Sequence, residues 1–205
     1  MNLLRSILAA VVCVFALAAG TTSLSAQQPE ETSKGRTETA VFAGGCFWCV
    51  EADLEKLDGV GDVISGYSGG DLQNPTYENH DGHIEVVEAP FDPDVISYRE
   101  LTDYFLRHID VLDDGGQFCD RGYTYTTAIF YNNEDQRKDA EAAISAAEAE
   151  LGKSVVTPVR ALDKFWIAEG YHQDYYKRNK LRYRYYRTSC GRDRRVKAVW
   201  GKHKK

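Results

Sequence analysis

A pair of glycines, Gly44 and Gly45, separates an apolar segment from a helical pattern, and this junction constrains the fold more than any other stretch. Residues 39–43, just before it, are short, apolar and β-prone. Just after it, apolar residues recur at the spacing of one helix face: Phe47, Val50, Leu54 and Leu57. We therefore predict that Cys46 lies where a strand ends and a helix begins, because glycine lets the backbone turn tightly there.

A position at the start of a helix would affect the reactivity of Cys46. Backbone N–H groups and the helix dipole favour a thiolate, which is the nucleophilic form of cysteine. Phe47 and Trp48 would form an apolar wall beside the sulfur. The alternative is that Cys46 is a small buried hydrophobic residue and both rings are ordinary core, since free cysteines are usually inert. The stretch alone leaves both interpretations open.

The chain of 205 residues is long enough for one domain with extra segments at both ends. Residues 1–26 carry one charge, Arg5, an apolar run too short to span a bilayer comfortably, and small residues at the end, which together predict a secretory signal peptide. An uncleaved anchor is the alternative. Residues 27–36 are polar and predicted to be a flexible lead-in, and 37–176 the catalytic domain. Export predicts an extracytoplasmic location such as the bacterial periplasm.

Residues 177–205 form a basic C-terminal tail, with thirteen Lys or Arg against one acidic residue, Asp193. The net charge of the chain is nevertheless −6, so the remainder is strongly acidic. Such a tail could bind nucleic acid or an anionic membrane, or it could pack on its own acidic domain. Tyrosines interleave with its charges, which favours a packed segment, and we predict no nucleic-acid partner.

The order of predicted elements gives the fold class. Apolar alternation predicts strands over 39–43, 60–67, 83–91, 123–131 and 155–162. A capping box at residues 97–100 opens a second helix, and Asn133 or Asn132 and then Gly152 bound a third. The fold is predicted to be α+β: a mixed, largely antiparallel sheet with helices packed on it, as in a ferredoxin-like α/β roll, plus an irregular C-terminal tail. The long Asp/Gly-rich loop 110–122 is predicted to be functional.

Three chemistries fit these residues. Cys46 and Cys49 form a C-x-x-C, so an exported thioredoxin-like disulfide oxidoreductase is one alternative, although too little chain precedes the motif for the usual βαβ context. His80 and His83 lack a second ligand pair at zinc spacing, so no metal is predicted. The third is a cysteine nucleophile assisted by Glu85, because burial in an apolar strand would keep that carboxyl protonated. Glu85 could equally face solvent on an alternating strand.

Several motifs, taken in order, decide between these chemistries. They are Gly45-Cys46-Phe47-Trp48, Gly66-Tyr67-Ser68-Gly69-Gly70, Asn74-Pro75-Thr76-Tyr77, Gly82-His83-Ile84-Glu85-Val86-Val87, Phe91-Asp92-Pro93 and Tyr171-His172-Gln173. Their sequence and spacing resemble peptide methionine sulfoxide reductase of type A, over roughly residues 39–176. The resemblance implies an enzyme that reduces free and peptide-bound methionine-S-sulfoxide to methionine, and so repairs oxidised proteins.

The resemblance also implies roles. Cys46 is the nucleophile, Glu85 the acid, Tyr77 a hydroxyl that binds the sulfoxide oxygen, and Phe47 and Trp48 the pocket for the substrate methyl. The family's loop Asp-x-Gly-x-Gln-Tyr-Arg-Ser matches at Asp120 and Tyr125, with Thr124 and Thr126 replacing Gln and Arg.

The implied cycle turns Cys46 into a sulfenic acid, which a second thiol condenses to a disulfide. We predict Cys190 as that thiol, because it lies in a polar, glycine-flanked stretch near the chain end and the family often places its resolving cysteine there; Cys49 and Cys119 are the alternatives. The resemblance implies no cofactor, only an external thioredoxin-like dithiol. The partners are oxidised proteins, and a monomer is expected.

Overall fold

The computed structural model describes residues 36–201. The predicted signal peptide and nearly all of the predicted lead-in lie outside these residues. Within them, no helix is both long enough and apolar enough to cross a membrane.

A six-stranded mixed sheet is the centre of the described chain, and only its β6–β7 pair is parallel, as the predicted fold class requires. The spatial order is β7-β6-β1-β3-β2-β8. The strands are β1 Glu38–Gly44, β2 Ile64–Ser68, β3 Ile84–Phe91, β6 Thr127–Tyr131, β7 Val159–Ala161 and β8 Trp166–Ile167, while β4 Gly116–Gln117 and β5 Asp120–Arg121 form a separate hairpin.

Helices pack on the sheet, and the main hydrophobic core lies between the helices and the sheet. They are α1 Phe47–Leu54, α2 Tyr98–Leu106, α3 Glu134–Leu151, α4 Tyr175–Arg178, α5 Lys180–Ser189 and α6 Arg192–Trp200. β1 is buried on both faces: Phe42 faces the main core, where it stacks on Phe105 of α2 at 4.5 Å, and Val41 faces a smaller cluster on the other side. A strand that is buried on both faces must be apolar throughout, as β1 is.

The glycine pair after β1 behaves as the sequence predicts. Gly45 has a φ of +78°, and a Cβ there would lie 2.5 Å from the Gln117 Cβ. A Cβ on Gly44 would meet Ile109 and Val50 at 2.9 Å. The chain therefore turns from β1 into α1 in a space that only glycine fits.

Local capping signals are also confirmed. The Ser97 side chain accepts the Glu100 N–H while the Glu100 carboxylate accepts the Ser97 N–H, so the capping box opens α2. Asn133 caps α3, and Gly152 ends it in the left-handed conformation.

Three predicted strands are shorter than their apolar patterns suggest, because other groups take their backbone N–H donors. The segment before β2 leaves the sheet where the Val63 N–H donates to Glu55. Before β7, the Val155 N–H donates to Glu148. Residues 123–125 form a 3₁₀ turn ahead of β6.

The C-terminal segment corrects the expectation of an irregular tail, since α4, α5 and α6 are helices. No residue of α5 is buried, and α5 contacts the domain through polar side chains, whereas α6 buries Val196 and Trp200 in the main core. Arg187 pairs with the buried Asp53 at 3.0 Å, and Lys177 with Glu55 at 2.6 Å. Arg195 pairs with the buried Asp110.

Arg192 ties this segment to the strand that carries the cysteine. Its side chain is 2% exposed, and its guanidinium donates to the carbonyls of Gly44 and His108 at 3.1 Å each, with Asp53 3.7 Å away. We predict that Arg192→Ala lowers the free energy of unfolding by at least about 2 kcal/mol, the scale of hydrogen bonds from a charged group. Urea unfolding of the variant and the parent measures this.

Arg194→Ala is the matched control, because Arg194 lies on the exposed face of the same helix. It should change the free energy of unfolding by no more than about 0.5 kcal/mol. Equal effects of the two substitutions would contradict a special role of Arg192.

Candidate active site

Cys46 is buried at the start of α1, with 6% of its surface exposed. Its sulfur hydrogen-bonds to the Cys49 thiol and to the Tyr186 hydroxyl. Burial raises the pKa of Cys46 well above its usual value, and Cys49 and the charge of Glu85 raise it further. The resting residue is therefore a neutral thiol, which corrects the expectation that the helix start would favour a thiolate.

Burial is the main reason for this difference, and the carboxyl of Glu85 at the helix start adds to it. Its carboxyl oxygen accepts the N–H of Phe47, the first residue of α1, at 2.9 Å. Glu85 comes from β3, opposite Tyr67 of β2, and is 2% exposed, so it does not face solvent. Burial raises its pKa to about 8 despite the opposing effect of that hydrogen bond. A carboxyl with this pKa is protonated at neutral pH and can donate a proton.

Two tyrosines, Tyr77 and Tyr125, lie close enough to this carboxyl to feel its charge. The hydroxyls of Tyr77 and Tyr125 hydrogen-bond to each other, and burial together with the charge of Glu85 raises the pKa of each. Tyr77 is 40% exposed, so the pair lies at the mouth of the site. The Tyr77 backbone N–H donates to Glu169 at 2.8 Å, which holds its loop in place.

The aromatic wall combines one buried and one half-buried ring. Phe47 is fully buried against Tyr67 and His172. Trp48 is half-buried, stacks on Tyr175 at 3.7 Å and donates its indole N–H to His172 Nδ1 at 3.1 Å. This hydrogen bond requires a neutral imidazole, and burial does lower the pKa of His172.

Asp120 joins the site through a residue that the sequence analysis missed. The Tyr186 hydroxyl donates to the Asp120 carboxylate and also contacts the Cys46 sulfur. Burial raises the pKa of Asp120. Tyr186 lies on α5, inside the basic segment. The high density of tyrosines in that segment was the one sequence feature that could have indicated a site residue there.

The remaining candidates lie apart from this cluster or play other parts. Cys190 is bonded to Cys119 and not to Cys46, while Cys46 and Cys49 are free thiols. Both ring nitrogens of His83 bind backbone groups, and His80 Nδ1 contacts the Thr76 carbonyl. Among the described residues, neither group of side chains close enough to share an ion includes a histidine.

The site is that of a thiol-dependent oxidoreductase whose substrate carries a polar oxygen next to an apolar group. A neutral cysteine and a protonated acid would react with the substrate, and two hydroxyls and an aromatic wall would hold it. A thioredoxin-like site is not supported, because β1, which leads into Cys46, has antiparallel neighbours on both sides.

The family description that matches residues 38–204 is peptide methionine sulfoxide reductase. Peptide methionine sulfoxide reductase MsrA 2 of Rhizobium meliloti is 57% identical over 164 residues, which cover 79% of this chain and 83% of that protein. The chain belongs to the peptide methionine sulfoxide reductase family. It is an enzyme that reduces methionine sulfoxide at the expense of thiols.

Solved structures agree with this assignment. Methionine sulfoxide reductase A of Corynebacterium diphtheriae has a TM-score of 0.68 at 27% identity, covering 71% of this chain and 76% of that one. Mxr1 from Saccharomyces cerevisiae in reduced form has a TM-score of 0.66 at 27% identity, covering 71% and 87%.

The pKa of Glu85 sets a pH dependence. Because the acid form is present below about pH 8 and lost above it, we predict that the single-turnover rate of methionine formation falls as pH rises through that value. Glu85→Gln accepts the Phe47 N–H but has no proton to transfer. It should be slower by about a hundredfold or more and should show no such fall.

Glu88→Gln is the control, since Glu88 lies on the same strand and faces away from the cysteine. It should keep both the rate and the fall with pH. A Glu85→Gln rate within a few-fold of the parent, or the same fall in that variant, would contradict the acid role. Quenched-flow measurement of methionine gives both quantities.

Proposed function

We propose that this enzyme reduces the S epimer of methionine sulfoxide, free or in peptides, with Cys46 as nucleophile and Glu85 as proton donor. The observation that carries the proposal is the contact of a buried carboxyl with the first N–H of α1, directly beside the cysteine. This contact fixes the acid within reach of any oxygen whose sulfur touches Cys46, and burial keeps the acid protonated.

The surroundings of Cys46 support one orientation of the substrate. The sulfoxide oxygen would lie toward the hydroxyls of Tyr77 and Tyr125, which donate hydrogen bonds. The methyl group would lie against Phe47 and Trp48. Because oxygen and methyl occupy opposite sides of a stereogenic sulfur, only one epimer can satisfy both while presenting its sulfur to Cys46.

Trp48 needs a fixed ring plane to serve as that wall. The stacking of its indole on Tyr175 and the hydrogen bond to His172 hold the ring at two points. An aromatic wall held in this way gives the methyl group a pre-formed apolar surface, so little ordering is needed on binding.

The chemical step balances with both groups neutral. The Cys46 sulfur attacks the sulfoxide sulfur while Glu85 protonates the oxygen. The attack forms a transient S–S bond. The oxygen then passes from the substrate sulfur to the Cys46 sulfur, which becomes a sulfenic acid, the S–O bond of the substrate and the transient S–S bond break, and methionine leaves. The thiol proton of Cys46 replaces the proton that Glu85 gave, so two electrons pass from the cysteine to the substrate without a net proton from solvent.

Regeneration of Cys46 needs a second thiol and an outside reductant. We assign the condensation with the sulfenic acid to Cys190, which forms a disulfide and water, and the final reduction to a thioredoxin-like protein dithiol. No prosthetic group takes part in this scheme. The enzyme would act as a monomer without nucleic acid, since basic side chains of the C-terminal segment pair with Asp53, Asp110 and Glu55 of its own domain.

The decisive experiment uses the two separated epimers of a blocked methionine sulfoxide, with dithiothreitol as reductant. We expect reduction of the S epimer and none of the R epimer. Cys46→Ser should form no methionine even in a single turnover, and circular dichroism should show the parent fold. Methionine formation by that variant, or equal rates for both epimers, would contradict the proposal.

We also propose export to an extracytoplasmic compartment. The support is the charge and apolar pattern of residues 1–26. In protein isolated from the native host, mass spectrometry should find a mature N-terminus between Ala26 and Gln28. A soluble cytoplasmic form that retains Met1 would be the contrary result.

A further inference from the structure

The outer face of α5 carries the two most exposed large hydrophobic side chains of the described chain. They are Leu181, with 82% of its surface exposed, and Tyr185, with 76%. The two residues are four positions apart, so they lie one turn from each other on the same face of the helix. Two adjacent apolar side chains left in water on a regular helix indicate an interaction site.

Unpaired cations border this apolar pair on both sides. With a turn of about 100° per residue, Arg182 and Arg184 each lie about 80° from the midline of the pair, on opposite sides of it. Lys180 lies further round the helix, on the Arg184 side. All three are exposed, and none forms an ion pair with any residue that the structure describes, whereas other cations of the segment pair with the domain.

The opposite face of α5 fixes the helix on the domain. There the Tyr186 hydroxyl donates to Asp120, and Arg187 pairs with the buried Asp53 at 3.0 Å. These contacts hold the helix in one rotation about its axis, so Leu181 and Tyr185 point away from the domain.

A cleft of about 470 Å³ opens along the Arg184 side of the helix. Two tyrosine rings and side chains of both charges line it: Tyr176, Tyr183, Lys177, Lys180, Arg184 and Asp193. Lys177 and Asp193 are ion-paired, so Lys180 and Arg184 are its unpaired charges. An ammonium and a guanidinium at one cleft suit a phosphate group, which the guanidinium can bind through two N–H donors.

The surface of an anionic bilayer fits this arrangement. Leucine and tyrosine side chains enter the boundary between headgroups and acyl chains, where the tyrosine ring meets an apolar environment and its hydroxyl a wet one. Cations on both sides lay their aliphatic stems along the apolar surface and reach the phosphates. A protein partner fits less well, because two side chains supply well under the roughly 800 Å² that each partner of a stable interface buries.

The distribution of charge along the chain favours the same orientation. Residues 177–205 hold thirteen of the 25 Lys and Arg residues and only one of the 31 acidic residues. The rest of the chain is therefore acidic. An anionic surface attracts the α5 side of the molecule and repels the remainder.

We propose that the outer face of α5 binds the surface of an anionic phospholipid membrane, with a headgroup phosphate in the cleft beside Lys180 and Arg184. The protein would lie on this surface through Leu181 and Tyr185 and would not span it. This binding is independent of the role of Cys46, and it would bring the active site to oxidised proteins at a membrane.

Vesicle sedimentation tests the proposal. The chain from Gln27 onward contains every residue that the structure describes, and it leaves out the apolar run in residues 1–26, which would bind vesicles by itself. At low ionic strength, its partition to vesicles of phosphatidylcholine with phosphatidylglycerol should exceed that to phosphatidylcholine alone by at least about tenfold. Added sodium chloride should weaken the binding.

Two double variants separate the contributions of charge and of apolar contact. Arg182→Gln with Arg184→Gln should lower the partition to the mixed vesicles by about thirtyfold, since each cation near an anionic surface contributes to binding. Leu181→Ser with Tyr185→Ser keeps the charge and should lower it by about tenfold, because the apolar side chains no longer enter the interface.

Lys153→Gln with Arg160→Gln is the matched control. It removes the same charge from exposed positions outside the basic segment, and it should change the partition by no more than about twofold. Circular dichroism should show the parent fold in every variant. All of them should also keep the parent rate of methionine formation from a blocked methionine sulfoxide, since none of the substituted residues lies in the active site.

Several results would overturn the proposal. They are equal partition of the parent to both kinds of vesicle, parent-like binding of the Leu181 and Tyr185 variant, and equal losses in the control and in the Arg182 and Arg184 variant. Poly-glutamate and inorganic phosphate serve as the other probes. Binding of either probe that needs the same two arginines, without binding to the mixed vesicles, would replace the membrane with an acidic protein or with free phosphate.

Discussion

The hydrogen bond from the Phe47 N–H to the Glu85 carboxyl is the interaction on which the site depends. It joins the first turn of α1 to β3 and puts an acid where a free helix start would otherwise stabilise a thiolate. Folding binds a proton to this group, because its pKa rises from 4.5 in a free carboxyl to about 8. The stability that this proton contributes is complete below pH 4.5 and is lost as pH rises toward 8. The acid function thus has a cost in stability at neutral pH.

The basic C-terminal segment belongs to the site as much as the motif around the cysteine does. Arg192 and Arg187 meet the buried Asp53 of α1. The hydrogen bond with Cys46 lowers the pKa of Cys49, and the charges of the two arginines lower it further. Tyr186, which precedes Arg187 in the chain, contacts Cys46 directly. A segment whose tyrosines predict packing on the domain thus also supplies a side chain that contacts the nucleophile.

The parts predicted from sequence are those governed by neighbouring residues. The turn at Gly44 and Gly45 and the caps at Ser97 and Asn133 depend on contacts within a few positions, so local chemistry suffices. The raised pKa of Glu85 followed from its apolar strand neighbours together with the family resemblance.

The parts that could not be predicted depend on distant contacts. The thiol form of Cys46 results from burial and from a carboxyl 39 positions away in the chain, which no local pattern reveals. The helices of the C-terminal segment are held partly by ion pairs to buried carboxylates, which leave no apolar periodicity, and α6 adds only a short apolar face at Val196 and Trp200. The pairing of Cys119 with Cys190 spans 71 residues, and spacing alone does not identify it.

The disulfide between Cys119 and Cys190 also makes the thermal stability of the protein depend on its redox state. A crosslink that closes a loop of this length restricts the unfolded chain, which in the chain-entropy description stabilises the fold by roughly 4 kcal/mol. The protein with this disulfide formed should then resist thermal unfolding better than the protein with both thiols reduced.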